Sequence, residues 1–284
     1  MNKLKTYISS GGAKVEVVFD NEDVGNSVIN NDFIGKYIPG FNFDSAGQVD
    51  SVINFLDQDL SFDFGKYPEV SIGLGGMSEK DIISLIELVL ERARQEKGVY
   101  CIHSATVIYK DKAVIFWGGA SGMGKTRMAR KFAEDGALFY SDEKTLIDFN
   151  STRVVGGIPY QYLEKDYWIK KLGVTEDDSY HRSESASTGS FPIMVFVYGF
   201  AIDGAVFSAD KWSPEKFEWH IYEELGRKIR AISRRVKDAS VSVPSIDSQE
   251  CADKRISLIK RNNSLPCYSV QGTPEAIIEF IKTL

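Results

Sequence analysis

Gly119-Ala120-Ser121-Gly122-Met123-Gly124-Lys125-Thr126 fits G-x-x-x-x-G-K-[ST] at every fixed position. Its flanks suit it. Lys112-Ala113-Val114-Ile115-Phe116-Trp117 upstream reads as a buried strand, and Arg127 to Glu134 downstream reads as a helix. A strand, a glycine-rich turn and a helix N-terminus gather backbone N–H groups at the positive end of a helix dipole, which suits phosphate. In such a turn Lys125 reaches the β/γ-phosphates and the Thr126 hydroxyl ligates Mg²⁺. The expected ligand is a nucleoside triphosphate, ATP with Mg²⁺, held by residues 119–126. A glycine-rich connection matching by chance is the alternative, and it leaves the flanking strand and helix unexplained.

The class of phosphate-loop protein depends on how soon the next acid arrives. Leu138-Phe139-Tyr140-Ser141-Asp142-Glu143 is an apolar strand ending in two carboxylates, with Asp142 seventeen residues after Lys125. One helix and one strand fill that interval, so the strand returns beside the first and delivers Asp142 near the γ-phosphate. The chain has neither the N-K-x-D motif of guanine-reading switch proteins nor an LSGGQ-like signature. Phosphoryl transfer needs positioning, a metal and an acid that orients the nucleophile. Asp142 is the expected base, worth roughly 10²–10⁴ in rate when well placed. Glu143 is the expected second metal ligand, a hard oxygen donor. The plainer reading is that both acids open a polar turn.

Around this centre, residues 1–76 look β-rich, with strands at 14–19 and 69–74 and turn-forming Asn, Asp and Gly clusters at 20–32 and 38–48. Ser78 then starts an amphipathic helix running to Glu96 and closed by Gly98. Val99–Tyr109 and Lys112–Trp117 read as a hairpin around Lys110-Asp111. Further strands are expected at 137–140, 145–149, 153–155 and 191–200, and helices at 214–236 and 275–282. The segment 173–190 is acidic, serine-rich and aperiodic, which suits a lid. The expected division is a β-rich domain over 1–76 and a phosphate-loop domain over 77–284.

Composition limits the partners. A hydrophobic content of 43 %, a charged content of 26 % and a net charge of −6 describe a soluble globular chain. They argue against nucleic acid or a membrane surface as a general partner. The three cysteines are too few and too scattered for a disulfide framework or a four-ligand zinc site. No apolar stretch follows the lysines of Met1–Ser10, so no signal peptide is expected, and the cytoplasm is the expected compartment. A homo-oligomer is left open.

Residues 99–148 resemble the catalytic domain of HPr serine kinase, a fold related to phosphoenolpyruvate carboxykinase. The resemblance is carried by Ile102-His103-Ser104-Ala105, the hairpin into Gly119–Thr126, Gly136, and the pair Asp142-Glu143. It implies an α/β fold with a phosphate-loop kinase core of the HPr kinase / phosphoenolpyruvate carboxykinase type and a smaller β-rich N-terminal domain. It also implies catalytic roles for Asp142, Lys125 and His103. The family's acid pair is usually Asp-Asp and its His is usually followed by Gly. Asp-Glu and Ser104 here mark a divergent member, whose acceptor would be a serine side chain of a peptide or protein, or a small hydroxyl compound.

Outside the motif, His103 reads either as a phosphate or carboxylate partner or as a strand histidine satisfied by backbone. Lys144 reads as an exposed turn lysine, and Arg227, Arg230, Arg234 and Lys237 as one basic helix face. Trp168, Trp212 and Trp219 read as packing residues. The expected function is ATP-dependent phosphorylation of a hydroxyl group. The alternatives are a nucleotide hydrolase or switch without an acceptor, and a degenerate binding module.

Overall fold

The computed structural model describes residues 3–118, 122–162, 180–182, 188–231, 234–238 and 240–284. The fold is mixed α/β, with several mixed sheets and, among the described residues, seven helices. The chain divides into two compact units. Unit one is Met1–Tyr100 with Leu225–Leu258, and unit two is Cys101–Glu224 with Ile259–Leu284.

Unit one holds a six-stranded sheet in the order β3-β1-β2-β4-β6-β5. Its strands are β1 (Leu4–Ser10), β2 (Ala13–Phe19), β3 (Asn42–Phe43), β4 (Ser51–Leu56), β5 (Ser61–Asp63) and β6 (Glu69–Gly73). Gly11 and Gly12, both at positive φ, close the two-residue β1–β2 hairpin, a turn whose twist matches its strands. Every second residue of β2 is buried, and Val15, Val17 and Phe19 join the core shared with Ile82, Ile83, Leu85, Ile86 and Val89 of α3 (Glu79–Glu96). Ser78 and Asp81 start α3 with a reciprocal capping box.

A boundary at residue 76 would separate the β2 face from the helix that buries it. Residues 77–100 therefore belong to unit one, and Leu225–Leu258 returns to it, adding Ile229, Val236, Val243 and Ile246 to the same core. One expected turn region, 20–32, also differs. Asn21 and Asn31 do not mark open loops. The Asn21 side chain caps α1 (Glu22–Ile29), and that of Asn31 accepts the Phe33 N–H at the start of α2 (Phe33–Tyr37).

Unit two is built on a nine-stranded sheet. Its main path runs β10-β8-β9-β15-β12-β11-β7, with β19 beside β15 and β16 beside β19. The strands on that path are β7 (Val99–Ile102), β8 (Ser104–Tyr109), β9 (Lys112–Trp117), β10 (Leu138–Ser141), β11 (Thr145–Asp148), β12 (Arg153–Gly157) and β15 (Phe191–Ala201). β16 (Ser208–Lys211) and β19 (Cys267–Gly272) complete the sheet, while β17 (Arg235–Val236) and β18 (Val241–Ser242) pair with each other in unit one. The β8–β9 hairpin turns at Lys110-Asp111, both at positive φ. β9, β15 and β19 are mutually parallel, so their carboxyl ends share one edge. In open α/β sheets that edge is where ligands bind.

On one face α4 (Lys125–Glu134) and α7 (Pro274–Lys282) bury Met128, Phe132, Ile277, Ile278 and Ile281 against Val107, Val114, Val195 and Val197. Between β12 and β15, β13 (Tyr160–Tyr162) pairs with β14 (Tyr180–Arg182). The expected aperiodic segment 173–190 therefore contains a strand, while 173–179 and 183–187 lie outside the described residues. The helix expected over 214–236 is α5 (Pro214–Arg230) and ends earlier. Arg234 lies beyond it and donates to the Ser84 carbonyl, while Arg230 pairs with Asp247, so the basic positions do not form one helix face. α6 (Gln249–Arg261) and β19 were not foreseen.

Candidate functional site

β9 is buried from Ala113 to Trp117 and is followed by Gly118, with φ +74. A side chain at Gly118 would meet the Tyr198 ring at 2.3 Å. Gly119, Ala120 and Ser121 lie outside the described residues. Gly122 and Gly124 both have φ +88, a conformation that costs other residues 1–2 kcal/mol. Gly124 stands at the N-cap of α4, where a Cβ would lie 2.7 Å from that of Ala201. Met123 is buried, and its carbonyl accepts the Ala201 N–H at 3.2 Å. Helix α4 begins at Lys125, so the first-turn N–H groups of Lys125, Thr126 and Arg127 face this turn. The Lys125 ammonium is buried and donates to the Gly118 carbonyl at 3.3 Å.

The acid pair reaches the same place. The Thr126 hydroxyl donates to Asp142 Oδ1 at 2.9 Å, and that oxygen also accepts the Glu143 N–H at 3.0 Å. Asp142 is 2 % exposed, so its carboxylate is presented to the first turn of α4 rather than to bulk water. Glu143 differs. It has φ +63, and the Lys144 N–H closes a three-residue turn onto the Asp142 carbonyl at 2.7 Å. Such strain in a non-glycine residue costs of order 1–3 kcal/mol and concentrates at functional positions.

The strained turn is clamped to the residue that follows β12. The Asp142 N–H donates to the Ile158 carbonyl, and the Ile158 N–H donates to that of Lys144. Gly157 permits the approach, because a Cβ there would stand 2.4 Å from Ser141 Cβ. Below the turn, Thr145 Oγ1 lies within 2.8 Å of the hydroxyls of Ser104, Thr106 and Ser141, all fully buried.

His103 occupies the break between β7 and β8, where one continuous strand was expected. Its ring Nδ1 lies 3.1 Å from the Glu143 carbonyl and 3.5 Å from Glu143 Oε2. An Nδ1–H donated to that carbonyl leaves Nε2 as the acceptor nitrogen of the ring. The His103 N–H in turn donates to Glu224 Oε1 at 2.8 Å, and Glu224 is buried. The fold thus links Thr126, Asp142, Glu143 and His103 in one chain of contacts, with Lys125 next to Thr126 at the start of α4.

Sequence reading did not find Glu224, Ile158, Tyr198 or Ala201 as neighbours of this site. None carries a local motif; Ile158, Tyr198 and Ala201 come close through the pairing of the sheet, and Glu224 through its place on α5. Trp212 is buried as expected, whereas Trp219 is 70 % exposed, and Trp168 lies outside the described residues. All three cysteines are buried, with burial raising the Cys267 thiol to about 12.

No protein-family model matches the chain, and no curated protein matches it. Among the described residues, no helix is long and apolar enough to cross a membrane.

Proposed function

We propose that unit two binds ATP with Mg²⁺ and transfers its γ-phosphoryl group to an acceptor hydroxyl. The observation that carries the reading is the Thr126–Asp142 hydrogen bond. It joins the start of α4, where a triphosphate would rest, to a buried carboxylate seventeen residues after Lys125. A kinase core of the HPr kinase / phosphoenolpyruvate carboxykinase type accounts for this join and for the His103–Glu143 contact.

The donor set fits Mg²⁺. A hydroxyl and a carboxylate are hard oxygen ligands, and here they lie 2.9 Å apart beside the helix N-terminus. Thr126 and Asp142 would hold the ion, which when bound neutralises triphosphate charge. This reading exchanges the expected roles of the acid pair. The burial of Asp142 and its Thr126 contact favour it as the metal carboxylate. Glu143, 43 % exposed at its side chain and beside His103, is favoured as the proton acceptor. Lys125 and the first-turn N–H groups of α4 bind phosphate oxygens. The acceptor oxygen attacks the γ-phosphorus, the bond to the β,γ-bridging oxygen breaks, ADP leaves, and the acceptor proton passes to the Glu143 carboxylate. His103 orients that carboxylate. The exposure of Glu143 equally favours a second reading, in which water replaces the acceptor and the product is free phosphate.

Thermal unfolding with and without Mg²⁺·ATP tests the site. At a hundredfold excess over Kd the wild type gains about 2.7 kcal/mol, and Lys125→Ala loses most of it. An equal shift in both proteins rules the site out. Labelled γ-phosphate incubated with serine peptides and polyols then separates transfer from hydrolysis.

A further inference from the structure

The edge that carries the phosphate turn also carries exposed apolar side chains with no role in binding phosphate. β9 and β15 run parallel with Trp117 opposite Tyr198, so the exit of β15 lies beside Gly118, where the turn begins. The Tyr198 ring fills the space over Gly118 and meets the Phe200 ring edge-on, with centroids 6.2 Å apart. On its other side Tyr198 contacts buried Trp117 and Trp212, so an aromatic series runs from the interior to the surface and ends at Phe200.

Phe200 is 42 % exposed and Ile202 48 % exposed. They flank Ala201, whose N–H holds the Met123 carbonyl and whose methyl abuts Gly124. Arg127, in the first turn of α4, pairs with Asp203 and fixes the next residue of the same segment. A triphosphate seated on Gly122–Thr126 therefore leaves its nucleoside within reach of this surface, because only a ribose and one phosphate separate the base from the β-phosphate.

We propose that Phe200 and Ile202 form the platform on which the base of the nucleoside triphosphate stacks. The proposal rests on the triphosphate reading above. Every base offers a π-face, so stacking of this kind tolerates different bases and is worth about 1–3 kcal/mol per base when the aromatic is removed. That corresponds to a loss of roughly five- to 150-fold in affinity. The backing by Tyr198 suits the role, since a ring already packed against a neighbour binds with little ordering to be done.

Calorimetric titration of Mg²⁺·ATP and of Mg²⁺·tripolyphosphate, which lacks the nucleoside, into the full chain tests this. Phe200→Ala is expected to raise the ATP Kd about tenfold, and Ile202→Ala several-fold. Tripolyphosphate binding should stay within twofold of wild type, and Phe200→Tyr should keep ATP affinity. Both side chains are exposed, so unchanged circular dichroism and melting are expected of the variants. ATP affinity within twofold of wild type in Phe200→Ala and Ile202→Ala overturns the proposal. If those variants keep ATP but lose transfer to a serine peptide, the platform is overturned and the face belongs to the acceptor. Tripolyphosphate binding that Lys125→Ala leaves unchanged instead overturns the phosphate reading, and the platform falls with it.

Discussion

Replacing Thr126 by Val tests whether the glycine-rich turn before α4 and the acid pair form one device. Valine keeps the β-branched shape and removes only the hydroxyl that donates to Asp142 Oδ1 at 2.9 Å. A hydrogen bond to a charged group contributes about 1.5–3 kcal/mol. Thr126 is half-buried, so water replaces part of the loss and about 1–2 kcal/mol is expected. All four tryptophans lie between residues 117 and 219, so intrinsic fluorescence during urea unfolding follows unit two alone. With m near 2 kcal/mol per M, the midpoint should fall by roughly 0.5–1 M. Thr126→Ser, which keeps the hydroxyl, should lose less than half as much. In a double-mutant cycle with Asp142→Asn the coupling should be about 1 kcal/mol. Added Mg²⁺·ATP should stabilise Thr126→Val less than wild type. Equal midpoints for the Val and Ser variants, or strict additivity with Asp142→Asn, would refute the reasoning.

Two further substitutions probe how the site is held. Gly157→Ala places a methyl 2.4 Å from Ser141 Cβ, at the base of the strained acid turn. It should destabilise unit two by about 1–3 kcal/mol by urea unfolding and reduce turnover while leaving tripolyphosphate affinity near wild type; full activity would mean the turn tolerates displacement. Glu224→Ala removes the acceptor of the His103 N–H and should lower kcat at least tenfold with little change in KM for ATP, whereas Glu224→Gln, which keeps an acceptor oxygen, should recover most of it. Equal kinetics for the Ala and Gln variants would separate Glu224 from the placement of His103.

Much of unit two was legible because its signals are local. The apolar run of β9, the hairpin turn at Lys110-Asp111, the helix that starts at Lys125 and the acid-ended strand each lie within a dozen residues, and the structure pairs the Thr126 hydroxyl with Asp142. The boundary near residue 76 came from a change in composition, which cannot report where a helix buries its apolar face. Helix α3 covers the sheet before it, and a segment more than a hundred residues later completes the same core. Asn21 and Asn31 show the other failure. The side-chain oxygens that favour turns are those that cap helices, and only the following residues decide between the two.

The proposed division of labour between Asp142 and Glu143 could not be read from the pair itself, since two adjacent carboxylates carry the same chemistry. It depends on a backbone feature that no side chain announces. The positive φ of Glu143 turns the chain between the two acids, so Asp142 stays buried against Thr126 while Glu143 opens toward His103. That turn stands because Ile158 clamps it from just beyond the end of β12 and Gly157 gives it room. In an ordinary extended strand successive side chains point to opposite faces, so the two carboxylates would part. Here the strained turn keeps both at one site with different surroundings, one buried beside a hydroxyl and one open to solvent. Under the proposed phosphotransfer reading, the buried carboxylate would hold the ion and its exposed neighbour would take the proton.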